Sequence, residues 1–152
     1  MIDHAPVPTT GVLAARVVLV TPHRAAPVWS GPAMATVGEV MSTGLHYVTE
    51  TTTVGEAVAL MAQHRIGSVL VMEGARLIGI FTERDTVRAL SNSYDAPSHE
   101  VGSWMTRDPI TVRPETPAED ALRTMLDHNF RHLPVMQGED VAGIVSIRDL
   151  AR

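Results

Sequence analysis

The sequence predicts an α/β (α+β) fold that contains two copies of one β-α-β-β-α unit. Residues 37–88 align with residues 101–152 at a constant offset of 64 positions and without a gap, which is the pattern of an internal repeat. Each copy has an apolar stripe at helical spacing, followed by two short β-rich runs. A unit of this size cannot bury an open sheet face alone, so we expect the copies to pack sheet to sheet about a pseudo-twofold axis.

Composition limits the classes of protein that the chain can belong to. The 152 residues carry a net charge of −5 and include no cysteine, which excludes disulfide scaffolds and thiolate chemistry. No basic stripe is present and aromatic residues are few, so nucleic-acid binding is not predicted. No apolar run approaches the roughly 20 residues that span a bilayer, so we predict no membrane segment and a cytoplasmic protein.

Four segments are predicted along the chain: a flexible N-terminal tail (1–36), repeat one (37–90), a polar linker (91–100) and repeat two (101–152). Half of the ten prolines fall in the tail, which argues against continuous helix or sheet there. Two alternatives stay open. The apolar run Gly11–Val20 is suited to a strand that docks on a partner, and translation that begins at Met34 would remove most of the tail.

Each repeat begins with V-G-x-x-M, for which we predict a short helical turn, at Val37–Met41 in repeat one. A brief strand near His46–Val48 and a capped helix follow. In repeat one, Thr53 and Glu56 form a capping box ahead of the apolar stripe. In repeat two we predict Thr116 as the N-cap, with Pro117 at the first helical position and Glu119 completing the box.

Two strands are predicted after each of these helices. They span Ser68–Met72 and Leu77–Phe81 in repeat one, and His132–Met136 and Val141–Val145 in repeat two. Four polar or small residues around a glycine join the strands of each pair, which is typical of a tight hairpin.

The segment that ends each hairpin is the same motif twice: G-I-F-T-E-R-D at Gly79–Asp85 and G-I-V-S-I-R-D at Gly143–Asp149. The pattern predicts a buried strand that turns into a helix, with Thr82 or Ser146 as N-cap and an aspartate at the third helical position. Such a helix start presents free N–H groups that can hold an anion. A capping box without a ligand is the alternative interpretation.

Taken together, V-G-x-x-M, the capped helix, the hairpin and G-h-x-[ST]-x-R-D resemble the cystathionine-β-synthase (CBS) domain. The resemblance covers residues 37–152 and is to a tandem CBS pair in a stand-alone CBS-domain protein. It implies a regulatory or sensor module that binds an adenosine-containing nucleotide between its repeats and signals to an unidentified effector protein. AMP, ADP or ATP is the expected ligand, ahead of S-adenosylmethionine or NAD.

The resemblance also implies which residues bind the nucleotide. Asp85 and Asp149 would accept hydrogen bonds from ribose hydroxyls, because an ionised carboxylate has only acceptor sites. Thr82 and Ser146 would meet the ribose or first phosphate. Residues of the short first strands would flank the base: His46, Tyr47 and Val48 in repeat one, and Ile110, Thr111 and Val112 in repeat two.

By the same resemblance each cleft mixes the two repeats. One would join Thr82 and Asp85 to residues 110–112 and to the helix-to-strand junction Phe130, Arg131 and His132. The other would join Ser146 and Asp149 to residues 46–48 and to the junction Ile66, Gly67 and Ser68. Because Arg131 and His132 suit phosphate, we predict that the Asp85 cleft binds more tightly. A solvated charge at a strand edge is the alternative for Arg131.

No catalytic constellation is present, since G-x-S-x-G, H-E-x-x-H and a phosphate-binding loop are all missing from the sequence. We therefore predict that the chain is not an enzyme. His128 and His132 have the spacing of a metal pair on a helix, but His132 falls where a strand should begin, and no metal is predicted. We predict a homodimer that uses V-G-x-x-M helices left uncovered by each pair. The competing hypothesis is a ligand-free dimerisation or interaction scaffold.

Overall fold

The structure, a computed structural model, describes residues 35–151. It confirms the α/β class, and both hairpins form where they were predicted. The predicted tail lies outside the described residues except at its end. In chain order the elements are α1 Val37–Val40, β1 Tyr47–Val48, α2 Val54–His64, β2 Ser68–Glu73, β3 Arg76–Thr82, α3 Glu83–Asn92, β4 Thr106–Arg107, α4 Ala118–Asp127, β5 His132–Gln137, β6 Asp140–Ser146 and α5 Ile147–Leu150.

The two hairpins, β2–β3 and β5–β6, are the centre of each repeat. Their antiparallel registers are equivalent: Ser68 pairs with Thr82 in the first, and His132 pairs with Ser146 in the second. Each turn contains a glycine in the left-handed region, Gly74 at φ 60° and Gly138 at φ 65°, where other residues are strained. The tight-hairpin prediction is confirmed in both repeats.

The sheets exchange edges between the repeats. In repeat one β1 is parallel to β2, and β4, which comes from repeat two, is antiparallel to β3. Reciprocally, Ser42 of repeat one forms an antiparallel bridge with Ile144 on β6, while Val112 bridges Val135 on β5. The first sheet has four strands, and the start of each repeat completes the sheet of the other.

The V-G-x-x-M segments are exchanged in the same way. Val37 is fully buried in a core formed by repeat two, and Val101 and Met105 are buried in the core of repeat one. The apolar residues on which the dimer prediction rested are thus used within the chain. The premise that these helices are left uncovered was wrong, because each one fills the core of the neighbouring repeat.

The exchange explains why a glycine begins each G-h-x-[ST]-x-R-D motif. A Cβ atom on Gly79 would lie 2.5 Å from Met105 Sδ and 2.9 Å from the carbonyl oxygen of Thr106. A Cβ atom on Gly143 would lie 2.6 Å from Met41 Sδ and 2.9 Å from the carbonyl oxygen of Ser42. The glycine of one repeat and the methionine of the other are therefore matched parts of one contact.

The first predicted capping box is confirmed and the second is wrong. The Glu56 backbone N–H donates to Thr53 Oγ1 over 3.2 Å, and Glu56 accepts in return from the Thr53 N–H. In repeat two the helix begins at Ala118, after an extended Pro117, and the Thr116 hydroxyl accepts from the Arg113 N–H instead. The cause is again the exchanged segment.

Ala35 supplies the partner that the missing cap would have supplied. Its carbonyl oxygen accepts the Ala118 N–H over 2.9 Å, while the Val37 N–H donates to the Thr116 carbonyl. Ala35 and Thr36, predicted as the end of the tail, therefore belong to the fold. Part of the predicted linker is also ordered, since Ala96 is buried in a 3₁₀ turn and the His99 carbonyl accepts the Val54 N–H.

No helix within residues 35–151 is both long enough and apolar enough to cross a bilayer.

Candidate functional site

A cleft of about 290 Å³ lies between the two repeats. Repeat one contributes the loop before β1, residues 44–46, and the junction of α2 and β2, residues 65–68. Repeat two contributes the junction of β6 and α5, residues 146–149. The structure thus brings Ser146 and Asp149 together with four predicted or neighbouring residues of repeat one: His46, Ile66, Gly67 and Ser68.

The Asp149 carboxylate is positioned by the local fold of its motif. Asp149 Oδ2 accepts the Ser146 backbone N–H over 2.8 Å and the Ser146 hydroxyl over 2.7 Å. Ile147, which follows Ser146, donates its N–H to the Arg131 carbonyl. This bond fixes the start of α5 against the beginning of β5. Within residues 35–151, both hydrogen bonds to this carboxylate end on Oδ2.

Arg131 and His132 line this cleft, whereas we predicted them opposite Asp85. The hairpin register is the physical reason, because it pairs His132 with Ser146 of its own repeat. The imidazole also reaches repeat one, and its Cε1 and Nε2 atoms lie 3.3 Å from the position that a Cβ atom on Gly67 would occupy. Any side chain at residue 67 would compete with this ring for space.

His132 is surrounded by charges of both signs. Burial lowers the pKa of its imidazole, the carboxylates of Glu83 and Asp149 act to raise it, and the guanidinium groups of Arg131 and Arg148 act to lower it. The net direction is downward, so the ring is neutral near pH 7. Arg65 completes the charged lining.

Sequence reasoning missed two of these charged residues, Arg65 and Glu83. Glu83 occupies the variable position after Thr82 in the first motif, and Arg65 follows directly on α2. Arg65 has a positive φ of 54°, which ends the helix and directs the chain into the cleft. Neither position carries a pattern that distinguishes a cleft residue from a solvated charge.

Asp85, the equivalent aspartate of the first motif, is in a different environment. Asp85 is 8% exposed, and its Oδ2 accepts from the Thr82 N–H over 2.9 Å and from the Thr82 hydroxyl over 3.1 Å. Its Oδ1 accepts from Arg88 over 3.2 Å, and Arg88 also donates to the Trp104 carbonyl of repeat two. Burial raises the pKa of Asp85, although these hydrogen bonds and the Arg88 charge oppose the shift. Both oxygens of this carboxylate are therefore engaged within the protein.

A hydrogen bond between the two repeats lies beside Asp85. Arg84 donates to the backbone carbonyl of Asn129 in repeat two, next to the predicted junction residue Phe130. Thr82 and Asp85 line neither of the two cavities described for residues 35–151. Thr111 and Val112 line the second of these cavities, together with Asp108 and Arg113 rather than with the motif.

The remaining predicted residues lie outside the Asp149 cleft. Tyr47 and Ile110 are exposed, while Val48, Val112 and Phe130 are half-buried and pack on the cores. The two histidines with the spacing of a metal pair lie in different places. His128 lies on the surface, with Nδ1 3.0 Å from the Thr124 carbonyl oxygen, and His132 lies in the cleft. Among the residues that the structure describes, no group of three or more metal-ligating side chains is present.

The family model of the CBS domain matches residues 37–92 and again residues 101–152. The chain belongs to the CBS-domain family. It is 43% identical over 123 residues to an uncharacterized 17.7 kDa protein of Acidianus ambivalens, covering 78% of this chain and 73% of that one. It is 33% identical over 119 residues to the CBS domain-containing protein YhcV of Bacillus subtilis, covering 78% of this chain and 84% of that one.

Two solved CBS structures similar to this chain hold adenosine compounds. CBSX2, solved in complex with AMP, is 29% identical with a TM-score of 0.67, and the match covers 76% of this chain and 93% of that one. The CBS pair of protein MJ0100 was solved with 5′-methylthioadenosine and S-adenosyl-L-methionine. It is 25% identical with a TM-score of 0.72, and the match covers 78% of this chain and 94% of that one.

Proposed function

We propose that this CBS pair binds an adenine nucleotide in the cleft of Asp149 and acts as a regulatory module, not as an enzyme. The observation that carries the proposal is the lining of that cleft, which joins the second motif to the loop and junction of repeat one. AMP and S-adenosylmethionine complexes of similar CBS proteins support an adenosine ligand.

The chemistry of the lining suits the parts of such a ligand. Asp149 is expected to accept ribose hydroxyls through the carboxylate oxygen that Ser146 does not use. Arg131 and Arg148 supply guanidinium groups, which bind phosphate by charge-assisted hydrogen bonds. The backbone N–H and C=O groups of residues 44–46 are expected to form hydrogen bonds with the edge of the base.

Nucleotide binding is expected to raise the melting temperature of the full chain. A ligand at one hundred times its dissociation constant adds about 2.7 kcal/mol to the free energy of unfolding. We would heat the protein with AMP, ADP, ATP or S-adenosylmethionine, with GMP and inorganic phosphate as controls. A shift with adenosine compounds alone supports the proposal. No shift with any of them at millimolar concentration contradicts it and favours the ligand-free scaffold.

We also propose that the bound state is signalled through a homodimer or an effector protein, and that the dimer forms through exposed helical residues. Val87 and Leu90, one helical turn apart on α3, are 67% and 51% exposed, and Leu126 on α4 is 54% exposed. Light scattering is expected to give twice the chain mass of 16.4 kDa. Val87→Glu with Leu90→Glu should reduce this mass, whereas Leu126→Glu tests the α4 face. A monomeric wild-type protein at micromolar concentration would contradict the dimer.

A further inference from the structure

Glu83, in the first motif, places a carboxylate in the cleft that contains Ser146 and Asp149 of the second motif. Its backbone N–H donates to the Gly67 carbonyl over 3.0 Å, which fixes the start of α3 at the wall of the cleft. Its Oε2 atom lies 3.4 Å from the position of a Cβ atom on Gly67, the same position that the His132 ring approaches to 3.3 Å. The equivalent residue in the second motif is Ile147, so only one of the two motifs carries this charge.

This carboxylate opposes the arginines that suit phosphate. The ionised residues that line the cleft are three arginines, Arg65, Arg131 and Arg148, and two acids, Glu83 and Asp149. All five line one cleft of about 290 Å³, and the Glu83 carboxylate and the His132 ring approach the same point beside Gly67. Asp149 accepts two hydrogen bonds from Ser146 through its Oδ2 atom, whereas within residues 35–151 no hydrogen bond or ion pair involves the Glu83 carboxylate.

We infer that Glu83 makes the cleft selective for an adenosine nucleotide with a single phosphate over one with two or three. The inference rests on the proposed function and refines its ligand class. One phosphate is matched by Arg131 and Arg148, but each further phosphate adds negative charge that the Glu83 carboxylate repels.

The test is a calorimetric titration of AMP, ADP and ATP against wild type and Glu83→Gln. EDTA keeps the phosphates free of magnesium. We expect wild type to bind AMP most tightly and ATP least tightly. Removing one negative charge near the phosphates should improve ATP affinity by about fivefold and AMP affinity by less. The ratio of AMP to ATP affinity should therefore decrease. Glu73→Gln removes an exposed carboxylate at the β2–β3 turn, outside the cleft, and as the control it should leave the ratio of AMP to ATP affinity unchanged.

The outcomes separate this inference from the proposed function. If AMP binds but wild type prefers ATP, or if Glu83→Gln leaves the gap between AMP and ATP unchanged, the role of Glu83 is wrong while nucleotide binding stands. If S-adenosylmethionine binds more tightly than AMP and loses affinity in Glu83→Gln, the carboxylate holds a cation and the inference is equally wrong. If no adenosine compound binds either protein, the proposed function is wrong as well.

Discussion

Asp149→Ala is expected to weaken AMP binding by roughly ten- to a hundredfold. Asp149 lies in the cleft beside Arg131 and His132, and hydrogen bonds from a ligand to a charged group contribute about 1.5–3 kcal/mol. Asp149→Asn keeps an oxygen that accepts from Ser146 but loses the charge, so an intermediate loss is expected. Calorimetric titration with AMP measures both variants.

Asp85→Ala is the matched control, because it removes the equivalent aspartate from the other copy of the motif. Asp85 is buried and bonded to Thr82 and Arg88, so we expect a lower melting temperature with AMP affinity within about twofold of wild type. The loss of its capping box costs about 1 kcal/mol of stability. This order reverses the prediction from the sequence, which favoured the Asp85 cleft. If Asp85→Ala abolishes AMP binding and Asp149→Ala does not, the assignment of the cleft is wrong.

Gly79→Ala is expected to destabilise the protein by about 1–3 kcal/mol, the usual cost of overpacking a core. The added methyl group would lie 2.5 Å from Met105 Sδ and 2.9 Å from the Thr106 carbonyl oxygen. The thioether can move, but the carbonyl belongs to β4, which pairs with β3 at this point. For a chain of this size each kcal/mol lowers the melting temperature by about 2–4 °C, which calorimetry resolves.

Gly44→Ala is the control, because no heavy atom lies within 4 Å of its added Cβ atom and little change in stability is expected. A double-mutant cycle tests the contact itself. Met105→Ala alone leaves a cavity, but in a Gly79→Ala background the added methyl group refills part of it. The double variant should therefore lose less free energy of unfolding than the sum of the losses in the two single variants. Additive costs would mean that Gly79 and Met105 do not form the contact that joins the repeats.

The sequence by itself determined most of the helices and strands of this protein. The constant offset between the copies predicted two equivalent units, and the stripe of α2 and the glycine turns predicted a helix and two hairpins that the structure contains. The Thr53, Thr82 and Ser146 caps were also predicted, because capping depends on residues three positions apart in the chain. Local hydrogen bonds of this kind leave their pattern in the sequence, and the pattern fails only where another segment replaces them, as Ala35 does at the start of α4.

Only the tertiary structure decided which repeat each element joins. Two copies with the same apolar pattern have equally good partners in either core, and an apolar residue such as Val37 records that it is buried but not where. The family resemblance placed Arg131 and His132 opposite Asp85, although the hairpin β5–β6 pairs His132 with Ser146 of its own repeat. The similarity of the two copies also hid the difference between Asp85 and Asp149, two identical residues of one motif. Arg88 and the Trp104 carbonyl engage the first, while the second lies in the cleft.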